Sequence, residues 1–280
     1  MQQFRLAVLG PQVCLLARSA GNAILKIYDG ERRLPDGESN ALVSYKPDDS
    51  PLTLADLASH RAICDGLCRL TPGVPVVSEE DAGSLVHRVA SGGYWLIDPL
   101  DGTKEFLARN GEFTVNIALI CDGEPIWGVV VAPALDLMYW GGREFGAFRQ
   151  DREKVASIRV HSPVAAGGRY RVVASKSHLN VQTTDFIARL GFVDLVQAGS
   201  SLKFCRVAEG TADVYPRLAP TCEWDTAAAQ AVVEGAGGHV YDINGVRLRY
   251  GKPEVLNPNF IAASVPITSF ISGRLRANKC

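Results

Sequence analysis

Tyr94-Trp95-Leu96-Ile97-Asp98-Pro99-Leu100-Asp101-Gly102-Thr103 is the stretch of this 280-residue chain on which the reading turns. Its first four residues are large and apolar, which predicts a short strand over 94–97. The strand delivers two carboxylates, three residues apart, into a turn shaped by Pro99 and Gly102. Hard divalent cations take oxygen ligands, and Asp98, Asp101 and the intervening carbonyl of Leu100 offer them. Gly102 and Thr103 then present N–H groups and a hydroxyl where Lys104-Glu105-Phe106-Leu107 begins a helix, and such starts attract phosphate. Taken alone, the same residues also suit a solvated Asp-Pro and Asp-Gly turn.

Two more acidic segments change that balance. Glu79-Glu80-Asp81 follows the short apolar strand Pro75-Val76-Val77, and 98 − 79 = 19 residues separate Glu79 from Asp98. Far down the chain, Trp224-Asp225-Thr226 precedes an alanine-rich helix. Separately these are an acidic turn and a helix N-cap. Together with Asp98 and Asp101 they form a carboxylate set suited to a metal ion.

Outward from this centre, residues 4–28 and 53–70 read as helices; Leu57, Cys64, Leu67 and Cys68 share one face of the second. Thr114–Cys121, the Asp122-Gly123 turn, Ile126–Ala132, Leu137–Trp140 and Gly146–Arg149 read as an antiparallel meander. Polar, Gly- and Pro-rich residues over 150–168 mark a boundary. Domains of 1–160, with most of the acids, and 161–280, with Asp225, are expected. Beyond the boundary, strands at 171–174, 194–197, 213–215 and 238–242 alternate with helices at 183–190, 202–209 and 226–235. The pattern predicts an α+β half beside an α/β half.

Composition removes several function classes. Lys and Arg total 29 against 30 Asp and Glu, which gives a nucleic-acid partner no support. No run of 18 apolar residues offers an integral membrane helix, and the N-terminal stretch reads as a structural helix in preference to a signal peptide. The seven cysteines are odd in number and several (Cys14, Cys64, Cys121 and Cys205) sit in apolar patterns, as expected of reduced thiols in a cytoplasmic protein. There is no Gly-x-Ser-x-Gly elbow and no cysteine with basic neighbours and a matched histidine, so direct attack by water is expected over a covalent nucleophile. Nothing in the sequence sets the oligomeric state.

Glu79-Glu80, Asp98-Pro99-Leu100-Asp101-Gly102-Thr103 and Trp224-Asp225 together resemble the lithium-sensitive, magnesium-dependent phosphatases. That family includes inositol monophosphatase, fructose bisphosphatase and the 3′(2′),5′-bisphosphate nucleotidases, and the resemblance runs from Lys46 to about Phe260. It implies a layered αβαβα sandwich and about two or three magnesium ions bridging the phosphate. It matches Glu79, Asp98 and the Leu100 carbonyl to the first metal, and Asp98, Asp101 and Asp225 to the second. Thr103 and Asp56, with Glu79, match the groups that orient and deprotonate the attacking water. Thr53 to Asp56 also has the spacing of a capping box, an alternative use for Asp56.

The flanking segments Lys46–Thr53, Asp101–Phe106, Gly199–Cys205 and Tyr215-Pro216-Arg217 resemble the bacterial bisphosphate nucleotidases of the CysQ type. This implies release of the 3′-phosphate of adenosine 3′,5′-bisphosphate, giving AMP and phosphate, in support of sulfur assimilation. Gly102, Thr103, His178, Ser200, Lys203, Arg217 and Asp225 then become substrate contacts, with Lys203 and Arg217 opposite the second phosphate. By pattern alone Lys203 is a surface lysine and His178 an exposed loop residue. Two other readings are an inositol- or sugar-monophosphate phosphatase of the same family and a non-catalytic metal-binding protein.

Overall fold

The computed structural model describes residues 5–31, 43–45, 51–89, 93–162, 168–175 and 180–266. In chain order the first elements are α1 (Leu6–Glu31), β1 (Val43–Tyr45), β2 (Pro51–Thr53), α2 (Leu54–Leu70) and β3 (Val76–Ser78). A 3₁₀ turn at Ala82–Val89 leads into β4 (Tyr94–Asp101), α3 (Thr103–Leu107), β5 (Thr114–Cys121) and β6 (Glu124–Ala132). The meander closes with β7 (Leu137–Gly142), β8 (Gly146–Asp151) and β9 (Lys154–Ile158). Then come β10 (Tyr170–Ser175), α4 (Val181–Arg189), β11 (Val193–Ala198), α5 (Leu202–Ala208) and β12 (Val214–Arg217). The last are α6 (Ala227–Gly235), β13 (His239–Asp242) and β14 (Phe260–Ala263).

Among the described residues the strands build a seven-stranded sheet, β3-β4-β5-β6-β7-β8-β9, and a five-stranded sheet, β11-β10-β12-β14-β13. One face of the larger sheet packs on α1 and α2 through Val13, Ile24, Ile63, Trp95, Ile117 and Val129. Its other face packs on α5 and α6, which also meet the smaller sheet through Phe204, Tyr215, Val240 and Phe260. α4 covers the far face of the smaller sheet, where Ile187 meets Val172 and Ile261. The architecture is a layered αβαβα sandwich, α+β and α/β in its two sheets, as the sequence led one to expect.

Close approach between layers has a local cause. A Cβ at Gly128 in β6 would fall 2.5 Å from the Ala228 carbonyl oxygen, so glycine lets α6 lie directly on the sheet. In this way the helix that follows Asp225 is anchored on the sheet that carries Asp98.

Several elements differ from the sequence reading, which gave no strands at 43–45 or 51–53. β9 occupies residues assigned to the polar boundary; it is an exposed edge strand reached through a tight turn at Arg152, whose φ is 54°. Edge strands tolerate the charged side chains that disguise them. β14 was missed because Asn257, Pro258 and Asn259 precede only four apolar residues. Its antiparallel pairing with β12 and β13 makes the smaller sheet mixed. Finally, β4 does not end at Ile97 but runs to Asp101.

Candidate active site

β3 and β4 are parallel, with Ser78 opposite Ile97. The next residue on each strand is an acid, so the register sets Glu79 beside Asp98, and the Glu79 N–H donates to the Ile97 carbonyl at 3.3 Å. β4 also pairs with β5, but the register shifts between Asp98, opposite Asn116, and Asp101, opposite Thr114. Pro99 and Leu100 are thus set against a single residue, Val115, which is a bulge. Pro99 has no N–H for the ladder, so the interruption falls there. The bulge is pinned by the Leu100 N–H, which donates to Asp98 Oδ1 at 3.1 Å, and by Ser59 Oγ, which donates to the Pro99 carbonyl at 2.7 Å. Leu100 buries its side chain, so only its main chain is available to a ligand.

Asp225 reaches the same place from the turn before α6. Its Oδ2 accepts the Cys222 N–H at 2.8 Å, and Thr226 takes the N-cap position of α6, in place of the simple N-cap that Asp225 resembled. Carboxylate oxygens of Glu79, Asp98 and Asp225 lie within 4.8 Å of one another. Asp101 stands against them with Oδ2 turned to four donors: Ser201 N at 2.7 Å, Ser201 Oγ at 2.9 Å, Thr114 Oγ1 at 3.2 Å and Asn116 Nδ2 at 3.5 Å.

Burial, followed by the charges of Glu79, Asp101, Asp225 and Glu80, holds the Asp98 carboxyl well above the usual carboxylate range. Burial, then Asp101 and Glu79, does the same to Asp225. Carboxylates crowded in this way repel one another until a proton or a cation neutralises them.

Around the acids, Gly102 has φ +88°, and a Cβ there would lie 2.0 Å from Ser200 Oγ; both conformation and space require glycine. Thr103 opens α3, and α3 packs against β2. β2 ends at Thr53, whose N–H and hydroxyl both donate to Asp56 Oδ2, at 2.8 and 2.6 Å. Asp56 therefore completes the capping box of α2, buried and bonded to the end of the strand that packs on α3.

On the other wall, Ser200 Oγ lies 2.9 Å from the Asp101 carbonyl and 2.7 Å from that of Glu112. With one proton shared between two carbonyls, this hydroxyl clamps the acidic strand to the segment that carries Glu112. Lys203 is buried, not on the surface, with Nζ 2.6 Å from the Ser200 carbonyl and 5.6 Å from the centre of the Tyr215 ring. Burial brings its pKa down to about 8, Asp101 opposing and Arg217 assisting. Arg217 donates to the Pro220 carbonyl at 3.0 Å, while its Nε is buried without a partner among the described residues. Pro220, with Asn180, Leu218, Ala219 and Asn257, lines a cavity of about 540 Å³. His178 lies outside the described residues.

A model of the inositol monophosphatase family matches residues 10–272. The chain belongs to this family. It is 47% identical over 250 residues to the 3′(2′),5′-bisphosphate nucleotidase CysQ of Salmonella typhimurium, covering 89% of this chain and 97% of the relative. Identity to the Escherichia coli protein of the same name is 48%, with the same coverage. Among solved structures, CysQ of Bacteroides thetaiotaomicron, a bacterial member of the inositol monophosphatase family, superposes with a TM-score of 0.79 at 38% identity. That match covers 94% of this chain and 99% of the other.

For this inositol monophosphatase-family chain, the donor set fits a hard divalent cation. It is all oxygen, with neither imidazole nor thiolate among the clustered ligands. Two of the thiols are held in the protonated form: burial pushes Cys14 up to about 12 and Cys64 to about 11. Sequence reasoning missed Ser59, Thr114, Asn116 and Glu112, the last accepting the Gly199 N–H at 2.8 Å. Thr114 and Asn116 did leave a signal, since they are polar residues two apart in an otherwise apolar strand. Ser59 and Glu112 left none, because their partners are main-chain groups distant in sequence.

Proposed function

We propose that this chain is a magnesium-dependent 3′(2′),5′-bisphosphate nucleotidase that converts adenosine 3′,5′-bisphosphate to AMP and phosphate. The observation that carries the metal chemistry is the convergence of Glu79, Asp98 and Asp225 within 4.8 Å, with Asp101 alongside. The substrate rests on the relatives named for that activity at 47% and 48% identity, and is supported by two cations, Lys203 and Arg217, close to Asp101.

Glu79, Asp98, Asp101, Asp225 and the Leu100 carbonyl would hold magnesium. Bound there, the metal supplies a more acidic water and neutralises charge on the leaving oxygen. Thr103 orients the attacking water and Asp56 accepts the proton. The water oxygen forms its bond to the 3′-phosphorus as the bond from phosphorus to O3′ breaks, and O3′ takes up a proton from solvent as it leaves. Gly102 permits the close approach of main chain to phosphate. Lys203 and Arg217 bind the 5′-phosphate, and the Arg217 Nε, which has no partner among the described residues, suits an anion there. The cavity beside Pro220 accommodates the nucleoside. A place in sulfur assimilation follows from this substrate.

Phosphate release from adenosine 3′,5′-bisphosphate and from inositol 1-phosphate, measured side by side with magnesium, tests the reading. A large preference in kcat/KM for the nucleotide is expected. A preference for inositol 1-phosphate would retain the metal chemistry and overturn the substrate.

A further inference from the structure

Glu223, two residues before Asp225, has a fully buried side chain that the reaction does not use. Its Oε1 accepts Lys252 Nζ at 2.5 Å and the Lys252 N–H at 3.1 Å. Its Oε2 accepts Arg88 Nη1 at 3.3 Å and the Gly251 N–H at 3.1 Å. Arg88 comes from the turn that follows Glu79; Gly251 and Lys252 come from the segment after β13. That segment wraps the Asp225 turn. The Glu223 N–H donates to Val255 at 2.9 Å, and Asn257 Nδ2 donates to the Cys222 carbonyl at 2.6 Å. The Cys222 N–H is in turn the donor to Asp225 Oδ2. At the other end, the Glu223 carbonyl accepts the Ala227 N–H at 3.1 Å and starts α6. The buried hydroxyl of Tyr94, first residue of β4, also faces this node, 3.5 Å from where a Cβ on Gly251 would lie.

We propose that Glu223 is a positioning residue for Asp225, a buried charged node that fixes the metal-binding turn against the Arg88 turn and the 251–257 strap. The inference rests on the reading of Asp225 as a metal ligand. A buried carboxylate with two cations and two main-chain donors holds its geometry only while all are present. Losing its charge frees the strap, and through Asn257 and Cys222 the Asp225 carboxylate.

The test is Mn²⁺ binding without substrate, followed by electron paramagnetic resonance, on wild type, Glu223→Gln and Asp225→Asn, with magnesium activation curves and thermal melts in parallel. Glu223→Gln is expected to weaken Mn²⁺ binding and raise the magnesium midpoint about tenfold, as partners that orient metal ligands do. KM for the nucleotide at saturating magnesium should stay within about twofold. A lower melting temperature with unchanged Mn²⁺ affinity would show a purely structural role and overturn the proposal. Unchanged Mn²⁺ affinity in Asp225→Asn would instead remove its premise. Should Glu223→Gln fail to fold, Arg88→Met and Lys252→Met each withdraw one cation and must shift the midpoint in the same direction; no shift in either refutes the node.

Discussion

The hydroxyl of Ser201 lies 2.9 Å from Asp101 Oδ2 and 2.9 Å from the carbonyl of Asp225. One side chain on α5's approach therefore ties an acid of the larger sheet to the turn before α6. Asn116 Nδ2, at 2.9 Å, donates to the same oxygen and completes its partners. Acids brought from residues 79, 98, 101 and 225 keep their relative places through small polar groups of this kind.

Ser201→Ala removes a fully buried hydrogen-bonding group and leaves Asn116 Nδ2 with a lost acceptor. A stability loss of about 1–3 kcal/mol is expected. The magnesium midpoint should rise as well, measured by phosphate release across a metal titration after denaturant melts confirm the fold.

Gly102→Ala meets two penalties, a positive φ and a clash with Ser200 Oγ. The left-handed conformation alone costs about 1–2 kcal/mol for a residue with a Cβ. Activity should fall by more than stability, because the displaced segment carries Thr103. Circular dichroism melts and turnover on the same preparation separate the two.

In the metal-free protein, Asp98 and Asp225 have carboxyls raised above the ordinary range. The sign follows from linkage: the unfolded chain loses these protons first, near about pH 4. Their contribution to stability is whole below that pH and is lost as pH rises toward the elevated folded values. Metal-free melting temperature should therefore fall as pH climbs from the acid side to neutrality, and magnesium should flatten the decline. Asp98→Asn should stabilise the metal-free protein, by on the order of 1 kcal/mol, and abolish the gain from magnesium. A pH-independent metal-free melt in wild type would contradict this.

Lys203 is cationic below about 8 and neutral above it. If it binds the 5′-phosphate, kcat/KM for adenosine 3′,5′-bisphosphate falls as pH rises through that value. The limb should vanish in Lys203→Met, whose KM for the bisphosphate rises while that for a simple monophosphate changes little. An identical limb in wild type and variant would assign the titration to another group.

The sequence carried most of this site because its chemistry is local. Asp98-Pro99-Leu100-Asp101-Gly102 holds the strand, the bulge-forming proline and the glycine in consecutive residues, and Trp224-Asp225 sits at a recognisable helix start. What stayed hidden depends on distant pairing. No pattern says that Lys203, on a mixed helix face, is buried against Tyr215, or that Ser200 spends its hydroxyl on the carbonyls of residues 101 and 112. β9 and β14 were overlooked because an exposed edge and a four-residue strand are too weakly periodic to stand out, and both are defined by the neighbours they pair with.

The most direct test removes the metal. Phosphate release from adenosine 3′,5′-bisphosphate is measured for wild type and Asp98→Asn before chelation, after chelation, and after magnesium is restored. Wild-type release should vanish on chelation and return with magnesium, while Asp98→Asn stays inactive throughout with its fold intact. Undiminished release from the chelated enzyme, or turnover by folded Asp98→Asn near the wild-type rate, would contradict the account.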